Sequence, residues 1–451
     1  MEVYTSRIQN TWTATFRLFL YISRVSRHDA ALTLMSPFKK NIRSSHLVIG
    51  GHLMALMLLV ATCDFKGKDA PLSGVVHFSG KEFAGSSTCV GCHESIAETH
   101  SHTPHYQTSQ IANAETVKGS FDSGQNVLVL NDRLRILMER SPSGLFQRGF
   151  LDSVEVDKKP MDLVIGSGRK GQSYLYWDDK ALFQLPVSYY TSDDAWTNSP
   201  GYPADQLVFN RNIPARCLEC HSTYFKTEKF AAERETFDPD QVMLGVDCER
   251  CHGPAGEHVR FHLQNPNERK ARNIINPARL TRERRLDNCA LCHSGLRENF
   301  MPSFSYIVGR DLKDYSYASY PADSGATLDV HGNQYGLLLE SKCFKMSESM
   351  DCSTCHNVHV KETKQVGLFS SRCMSCHDRG GDNFCKQPAR PGLVLSDNCI
   401  DCHMPALPSR QVFLGTTGDM NTGQFYVRTH LIGVYEENVK NFLKKIDTQS
   451  D

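Results

Sequence analysis

Short apolar runs alternate with polar turns over the second quarter of the chain. Residues 127–130 and 134–138 are apolar runs of strand length, and Asn131-Asp132 between them is typical of a turn. Residues 173–190 carry two further runs, rich in Tyr, Leu and Phe, on either side of Asp178-Asp179-Lys180, which is the pattern of a hairpin. We therefore predict a small antiparallel β insert, with bounds at residues 121–200.

The rest of the chain shows little regular periodicity. It is rich in Gly, Pro, Asn and Asp, and short helical patterns occur at residues 94–99, 257–264 and 427–443. Long loops of this kind are uncommon in an ordinary domain unless something else orders them. The expected fold class is mainly α with long ordered loops, plus the antiparallel β insert.

A basic stretch and a short apolar run stand near the N-terminus. The apolar run at residues 47–62 has 16 residues, fewer than the ~20 that a transmembrane helix needs, and Lys39, Lys40 and Arg43 precede it. This combination is typical of a signal peptide. We therefore interpret residues 1–62 as a presequence, and we expect Met35 to be the true start.

Cys63 follows the apolar run directly, in the sequence Val60-Ala61-Thr62-Cys63. This arrangement is similar to a bacterial lipoprotein cleavage site, so we predict that Cys63 is lipidated and that a second contact supports the single anchor. A plain signal peptide and an uncleaved anchor are the alternatives. All three place the folded body outside the cytoplasmic membrane, and residues 63–85, rich in Gly, Lys and Ser, are then a linker.

The numbers of cysteines and histidines are the informative part of the composition. The chain of 451 residues has 50 basic and 50 acidic side chains, so it lacks the basic excess of proteins that bind nucleic acid. It also has 17 cysteines and 19 histidines, and fourteen of the cysteines form seven Cys-x-x-Cys pairs, each followed at once by histidine. The seven motifs are Cys89-Cys92-His93, Cys217-Cys220-His221, Cys248-Cys251-His252, Cys289-Cys292-His293, Cys352-Cys355-His356, Cys373-Cys376-His377 and Cys399-Cys402-His403.

The Cys-x-x-Cys-His motif is the signature of covalent haem attachment. Two intervening residues place the thiols roughly one helical turn apart, so both can add to the vinyl groups of one haem while the adjacent histidine binds the iron. Structural zinc and disulfides are the alternatives, but neither explains a histidine after every second cysteine. We therefore predict seven covalent haem c groups. The predicted proximal iron ligands are His93, His221, His252, His293, His356, His377 and His403.

The motifs are unevenly spaced along the chain. The first stands alone in a haem segment that we place at residues 86–120, before the β insert. The other six crowd residues 217–403, and we place a six-haem core at residues 201–435. Residues 436–451 are then a C-terminal tail.

Each iron takes a second axial ligand unless that position is left open for chemistry. Nine histidines outside the motifs follow the presequence, which is enough for two histidines on every iron. His100 and His262 are two of the nine, and the seven that we predict as distal ligands are His77, His102, His105, His258, His331, His359 and His430.

Two further cysteines remain in the body of the chain, Cys343 and Cys385. In an oxidising compartment they can form a disulfide. Two buried thiols are the alternative.

Around the motifs the chain resembles the bacterial multihaem c-type cytochromes with a doubled-motif core. The matching stretches are residues 89–105, 245–258 (GVDCERCHGPAGEH), 351–359 (DCSTCHNVH) and 398–405 (NCIDCHMP), and residues 166–196 and 210–221 are similar to one branch of these exported proteins. The group includes the tetrahaem cytochrome of nitrifiers, pentahaem nitrite reductase and octahaem hydroxylamine oxidoreductase. The resemblance covers most of residues 86–435 and implies a multihaem cytochrome c fold with close-packed haems.

The resemblance implies electron transfer along close-packed haems, and the surplus of histidines favours mostly bis-histidine ligation. The expected partners are redox partner proteins or membrane quinol-linked donors. The alternative is a multihaem reductase or oxidase of a small nitrogen or sulfur compound, such as nitrite, hydroxylamine or a tetrathionate-like molecule, with one open-coordination haem. The Cys-x-x-Cys-Lys motif of pentahaem nitrite reductase does not occur in this sequence. Whether the chain is an enzyme therefore stays open. The expected location is the periplasmic or outer-surface side of a bacterial membrane, with a lipid anchor.

Overall fold

The computed structural model describes residues 72–203, 205–229, 234–318, 328–362, 364–378, 380–382, 384–387, 395–416 and 419–449. The chain divides into two units, Met1–Lys66 and Gly67–Asp451, and the described residues all belong to the second unit. The predicted presequence, the Met35 start and the lipidated Cys63 lie outside the described residues, as does the first part of the linker.

Antiparallel strands make up much of the described chain. The strands are β1 (Ser109–Ile111), β2 (Val127–Val129), β3 (Leu134–Ser141), β4 (Gly144–Leu151), β5 (Val154–Pro160), β6 (Leu163–Ile165), β7 (Gly171–Asp178), β8 (Ala181–Gln184), β9 (Val187–Tyr190), β10 (Ala195–Asn198), β11 (Arg211–Asn212), β12 (Ser222–Lys229), β13 (Thr236–Leu244), β14 (Arg297–Asn299), β15 (Ser316–Ala318), β16 (Ala406–Thr416) and β17 (Asp419–Arg428).

The helices are short, and several of them carry a motif. They are α1 (Ser86–Ser101), α2 (Ala215–Leu218), α3 (Cys248–His252), α4 (Gly256–Gln264), α5 (Arg282–His293), α6 (Gln334–Leu339), α7 (Lys342–Met346), α8 (Val366–Cys373), α9 (Cys399–His403) and α10 (Glu436–Gln449). Among the described residues, no helix combines the length and the apolar character that crossing a bilayer requires.

The strands form sheets of three sizes. A seven-stranded sheet runs in the order β1-β6-β7-β8-β11, with β9 paired to both β7 and β10. Strands β2, β3, β4 and β5 form a four-stranded meander. Three two-stranded ribbons, β12-β13, β14-β15 and β16-β17, lie between and after the motifs of the six-motif region.

The prediction of a mainly α fold is wrong. The region that we expected to contain short helices and loops includes the long ribbons β12-β13 and β16-β17. The helix predicted at residues 427–443 is replaced in its first part by β17, where Arg428 pairs with Ala406, and α10 begins only at Glu436. Strand pairing satisfies backbone groups across segments that are distant along the chain, so periodicity within one segment does not reveal it.

The strands predicted at residues 127–130 and 134–138 are confirmed as β2 and β3, and the hairpin at residues 173–190 is confirmed as β7 and β8. The sheet is larger than the predicted insert. Its strands extend from Ser109 in β1 to Asn212 in β11. Both ends of the sheet therefore lie next to a motif, the first motif on one side and the second on the other.

Two apolar cores support the sheets. One core packs the meander against the seven-stranded sheet around buried side chains such as Ile136, Tyr174 and Trp196. The other joins β12 and β13 to the segment before α1, and it includes Phe83 and Leu218. Because Leu218 lies inside the second motif, this core fixes one haem-attachment turn against the sheets.

A buried amide connects the meander to the larger sheet. Gln147, on β4, is 0% exposed. Its Nε2 donates to the carbonyl oxygen of Val187 on β9 at 2.8 Å, and its Oε1 accepts from Val187 N at 3.0 Å. Both polar groups of one buried backbone residue are therefore satisfied by a side chain from the other sheet.

We expect the substitution Gln147→Leu to destabilise the protein. It leaves the N–H and the carbonyl of Val187 without partners in the interior, and each such group costs about 1–3 kcal/mol. Chemical denaturation followed by far-UV circular dichroism measures the loss. The control is Gln125→Leu, because Gln125 is exposed. Equal unfolding midpoints for the two variants would contradict this role for Gln147.

Candidate haem centres

The motifs fold as helical turns with the histidine at or after the C-terminal end. The third and seventh motifs are a short helix each, α3 and α9. The first lies in α1, which bends at His93 (φ −119°, ψ 38°), and the fourth ends α5. The sixth begins at Cys373, where α8 ends. Residues three and four apart share one face of a helical turn, so each turn presents its thiols and imidazole together.

Two aspartates fix where such turns begin. Asp247 accepts a hydrogen bond from Cys248 N at 2.6 Å at the start of α3. Asp351 accepts from Ser353 N at 2.8 Å and from Thr354 N at 3.2 Å, which starts the turn of the fifth motif. Asp and its relatives favour this position because the first backbone N–H groups of a turn have no partner within it.

One cavity of about 2510 Å³ connects the motifs. Pockets for a single drug-sized ligand measure ~300–1,000 Å³, so this space suits several large cofactors. Thiols from the first six motifs line the cavity, and Ile400 and Met404 beside the seventh motif reach it as well. The motifs thus share one interior space, although they are spread over more than 300 residues of sequence.

Four motif histidines face a second histidine across this space. In each pair one ring belongs to a motif and the other was predicted as a distal ligand. Two metal–imidazole bonds of ~2 Å place the two ring centres ~6 Å apart, which is the spacing observed. The pairs are His93 with His258 (6.5 Å between ring centres), His252 with His359 (6.3 Å), His356 with His430 (6.2 Å) and His293 with His105 (6.0 Å).

The second motif has a similar arrangement. Burial lowers the pKa of His221 to about 4, and the neighbouring His331 and His293 contribute to that lowering. His221 Nδ1 lies 3.0 Å from Thr108 Oγ1. His331 is thus a fifth predicted distal histidine that lies near a motif histidine.

Hydrogen bonds at Nδ1 hold several of these rings in place. A ring whose Nδ1–H donates to a carbonyl presents Nε2 as an unprotonated ligand atom. Metal-binding histidines usually make such a hydrogen bond through the nitrogen that does not bind the metal. The bonds are His252 Nδ1 to Ile275 O (2.8 Å), His258 Nδ1 to Arg272 O (2.7 Å) and His403 Nδ1 to Gly433 O (2.8 Å).

The paired rings are also held neutral. Burial lowers the pKa of His105 and that of His430 to about 4, with neighbouring histidines adding to the effect. A neutral imidazole is the form that binds iron. The interior therefore favours ligation at neutral pH without first removing a proton.

His77 differs from the other predicted distal ligands. It is buried, its Nε2 lies 3.0 Å from the carbonyl oxygen of Phe304, and its Nδ1 lies 2.8 Å from Ser79 Oγ. Because both ring nitrogens already have protein partners, the structure argues against His77 as an iron ligand. His77 instead joins the N-terminal segment to the second apolar core.

The other unassigned histidines lie near the first and third motifs. His102 is exposed at the end of α1. His100 is buried, and one of its ring nitrogens lies within 4.8 Å of the ligand atoms of Asp247 and Cys248. Since Cys248 is a haem-attachment cysteine, this cluster belongs to the surroundings of the third motif. His262 lies against His258, with 4.6 Å between ring centres.

Cysteines of different motifs also lie against one another. Four pairs of cysteines from different motifs lie close enough to shift each other's pKa, and Cys251 interacts electrostatically with Cys289, as Cys355 does with Cys373. These contacts connect the motifs in the order first, third, fourth, fifth, sixth and seventh, with the second attached to the fourth. The four pairs are Cys89 with Cys248, Cys220 with Cys292, Cys289 with Cys352, and Cys373 with Cys399.

Two buried glutamates inside motifs were not anticipated from the sequence. Glu249, between Cys248 and Cys251, is 3% exposed and accepts from the backbone N–H groups of Ala84, Gly85 and Ala255 at 2.7–2.8 Å. Burial raises the pKa of Glu249, and these three hydrogen bonds oppose that rise. Glu219, in the second motif, accepts from Phe304 N at 2.7 Å. The only signal in the sequence is an acidic residue between two motif cysteines.

Cys343 and Cys385 are free cysteines in the structure, the first partly buried and the second exposed. Cys343 interacts electrostatically with Cys355, and Cys385 with Cys402. The possible disulfide between them stays a prediction, and the exposure of Cys385 does not match the alternative of two buried thiols.

Comparison with known proteins agrees with the motifs. A family model described as cytochrome c554 and c-prime matches residues 201–253, which contain the second and third motifs. Over 196 residues the chain is 24% identical to multiheme cytochrome MtrA of Shewanella baltica (strain OS185), and the match covers 42% of this chain and 45% of that protein. The chain thus spans less than half the length of this relative. The outer cell wall cytochrome OcwA is similar at 15% identity and a TM-score of 0.48, over 80% of this chain and 81% of that chain.

The family match falls on two motifs whose thiols and imidazoles line the shared cavity. Together with the seven motifs, this match supports a place for the chain among the multihaem c-type cytochromes. Haem c is its cofactor, and the interior of the cytochrome fits that group. Besides thiols and neutral imidazoles, Arg216, Arg250 and His262 line the cavity, and each has a buried side-chain nitrogen that no described residue satisfies. Such donors suit the two carboxylates of a haem.

We expect His77→Gln to change stability but not the haem spectrum. Losing buried hydrogen bonds costs about 1–3 kcal/mol of the free energy of unfolding at neutral pH. Because the pKa of His77 falls from 6.5 to about 4 on folding, the unfolded chain binds more protons, and stability is lost as pH falls from 6.5 towards 4. The variant should lose less stability over that range.

The measurement is denaturant unfolding at several pH values, with visible absorbance recorded in parallel. His102→Gln serves as the control because His102 is exposed. A high-spin haem signal that appears in His77→Gln would show instead that His77 is an iron ligand.

Proposed function

We propose that this protein conducts electrons outside the cytoplasmic membrane, through seven haems attached at its seven motifs. The proposal is carried by one observation, that motif histidines face histidines from elsewhere in the chain inside one shared cavity. When bound, each haem supplies an iron that takes up and releases one electron. Two imidazoles on an iron leave no position for a substrate, which favours electron transfer at those centres.

The spacing of the rings supports four bis-histidine centres, and the effect of His331 on the pKa of His221 supports a fifth. In each, the proximal ligand comes from the motif and the distal ligand from a segment outside it. We assign His258 as the distal ligand at the first motif, His331 at the second, His359 at the third, His105 at the fourth and His430 at the fifth.

The chain's own residues keep these centres suited to rapid exchange. Backbone carbonyls fix the rings of His252 and His258 through Nδ1, so the ligands do not reorient between oxidation states. The pKa values near 4 of His105 and His430 keep the imidazoles neutral over the physiological range. The lining of the cavity is mainly apolar, and the solvent exposure of a haem is one of the factors that set its potential.

The thiol contacts support an order for electron flow. They join neighbouring motifs into one continuous series from the first to the seventh, with the second motif as a branch at the fourth. Exposed cysteines occur in the first, second and sixth motifs, at Cys92, Cys217 and Cys376. These exposed motifs are the places where redox partner proteins or quinol-linked donors exchange electrons with the series.

The predicted signal peptide supports the proposed location, and so does the similarity to a multiheme cytochrome. We propose a periplasmic or outer-surface protein that is held at the membrane by lipid on Cys63. The second candidate function is reduction or oxidation of a small nitrogen or sulfur compound. It is favoured by one observation: within the described residues, His403 of the seventh motif makes no ring contact with another histidine, in contrast to four other motif histidines.

The substitution His359→Ala tests the distal assignments. It removes the ring that faces His252, so one of the seven irons should change from low spin to high spin while the haem count stays at seven. Low-temperature EPR and the pyridine haemochrome assay measure the two quantities. His102→Ala, at an exposed histidine that faces no motif, should leave all spectra unchanged. An unchanged spectrum in His359→Ala would remove this assignment.

Removal of a central haem tests conduction. Replacing both Cys352 and Cys355 with Ala removes the fifth haem and separates the sixth and seventh motifs from the fourth. After an electron pulse from pulse radiolysis, we expect redistribution to show a separate slow phase that carries two of the six remaining haems.

The matched control is the double variant Cys89→Ala, Cys92→Ala. It also leaves six haems, but it removes the end of the series and should redistribute electrons in a single phase. Identical kinetics in both variants would rule out the proposed order. A wild-type protein with fewer than seven reversibly reducible haems would rule out the proposed function itself.

A further inference from the structure

The segment that follows α4, residues 265–281, lies against two of the proposed haem centres. The carbonyl oxygen of Arg272 lies 2.7 Å from Nδ1 of His258, whose ring faces the first motif. Ile275 makes two hydrogen bonds with His252 of the third motif, through its N at 3.2 Å and its carbonyl oxygen at 2.8 Å. Residues of this segment also line the shared cavity, so the segment forms part of the wall between these centres and the solvent.

Residues 265–281 carry an excess of positive charge in a chain whose charges balance, and we call them the basic segment. They include three arginines and one lysine but a single carboxylate, Glu268, which lies 3.5 Å from Arg272. Arg269, Lys270 and Arg279 are exposed, and their side chains form no ion pair within the part of the chain that the structure describes. Three cations beside the first and third centres are therefore not neutralised by protein carboxylates.

Two large apolar side chains are exposed close to the basic segment. Phe78 is 61% exposed in a tight turn, in which His77 N donates to the carbonyl oxygen of Lys81 and Gly80 N donates to that of His77, both at 2.8 Å. Leu263 is 55% exposed in the last turn of α4. Exposed apolar side chains next to cations are typical of surfaces that bind at a membrane interface.

Ion pairs join the turn of Phe78 to α4. Lys81 lies 3.8 Å from Glu257, and Glu82 pairs with Arg260. Leu263 follows Arg260 by three residues, so it lies on the same face of the helix. The basic segment begins where α4 ends. The turn, this face of α4 and the basic segment thus form one continuous stretch of surface.

The described chain also begins at this surface. Leu72, the first described residue, lies against Gly256 at the start of α4, and Gly256 N donates to the carbonyl oxygen of Glu82 at 2.9 Å. Cys63, the predicted site of the lipid, precedes Leu72 by nine residues. Nine residues span at most ~30 Å when fully extended. A lipid on Cys63 would therefore hold this side of the protein within reach of a bilayer.

We propose that Phe78, Leu263 and the basic segment form a surface that binds the anionic headgroups of a phospholipid membrane. The cations pair with lipid phosphates, and the two apolar side chains enter the boundary between headgroups and acyl chains. A single lipid chain anchors a protein only reversibly, and a basic surface is a second contact that makes the attachment stable. The proposal rests on the proposed function and extends it, because this contact turns the first haem centre towards membrane quinol-linked donors.

Co-sedimentation of the holoprotein with vesicles tests this contact. Vesicles of equal parts phosphatidylglycerol and phosphatidylcholine are compared with vesicles of phosphatidylcholine alone. A cation near an anionic membrane strengthens binding about fivefold, so we expect the three free cations to give ~100-fold tighter binding to the anionic vesicles. The preference should disappear at high salt, which screens exposed charges. A lipid chain without the basic surface would bind both kinds of vesicle equally.

Two variants separate the charged part of the contact from the apolar part. The triple variant Arg269→Gln, Lys270→Gln, Arg279→Gln should lose most of the preference for anionic vesicles. Phe78→Ser should weaken binding to both kinds of vesicle by a similar factor, because it removes apolar contact but no charge. Unchanged binding in either variant would overturn the proposal.

The matched control for the triple variant also removes three positive charges, from exposed lysines of α10. It should bind both kinds of vesicle as the wild type does. An equal loss of preference in the control would show a general effect of net charge and would overturn the proposed surface. The control substitutions are Lys440→Gln, Lys444→Gln and Lys445→Gln.

Wild-type measurements decide the proposal even if a variant does not fold. A protein with seven reversibly reducible haems and no preference for anionic vesicles would overturn the membrane contact and leave electron conduction standing. The absence of that preference, together with slower reduction of the triple variant by the acidic protein flavodoxin, would assign the basic segment to an acidic protein partner instead. A deficit of haems would count against the proposed function, and the vesicle preference would still decide the membrane contact.

Discussion

The interior depends on pairs of histidine rings that face each other with about 6 Å between their centres. Each pair joins segments that are far apart in sequence, such as His93 with His258 and His252 with His359. An iron between two such rings acts as a cross-link, and binding that exists only in the folded chain adds directly to the free energy of folding. The cavity of about 2510 Å³ is consistent with this view, because an empty apolar space of that size is not found in close-packed protein interiors.

The sheets provide the part of the structure that does not depend on the cofactor. Protein side chains alone fill the core around Tyr174 and Trp196. Gln147 joins the meander to the seven-stranded sheet by hydrogen bonds to Val187. The second core includes Leu218, within the second motif. The fold thus combines a conventional β core with a region whose apolar filling is supplied by haem. In the proposed holoprotein, thioether and iron bonds order the long loops of the second region, beside the ribbons β12-β13 and β16-β17.

Buried charge positions the motifs within this frame. Glu249 accepts hydrogen bonds from three backbone N–H groups in two segments. One of these segments leads into α1, so Glu249 connects the first motif to the third. Glu219 accepts a hydrogen bond from Phe304 N and so connects the second motif to the segment at Phe304. A buried carboxylate is costly unless it is satisfied in this way. These contacts explain why motifs separated by more than 100 residues keep a fixed distance, which the series of thiol contacts requires.

The sequence alone determined the attachment chemistry and the local strands. A Cys-x-x-Cys-His motif is complete within one helical turn, and the runs at β2 and β3 are visible as apolar segments separated by a turn, so both are local properties. The tertiary structure decided which histidines face which of the first five motifs, and why His77 has protein partners at both nitrogens. It also overturned the mainly α fold, because ribbons such as β12-β13 arise from pairing across the chain. Contacts between distant residues depend on how the whole chain packs, and no spacing within one segment encodes them.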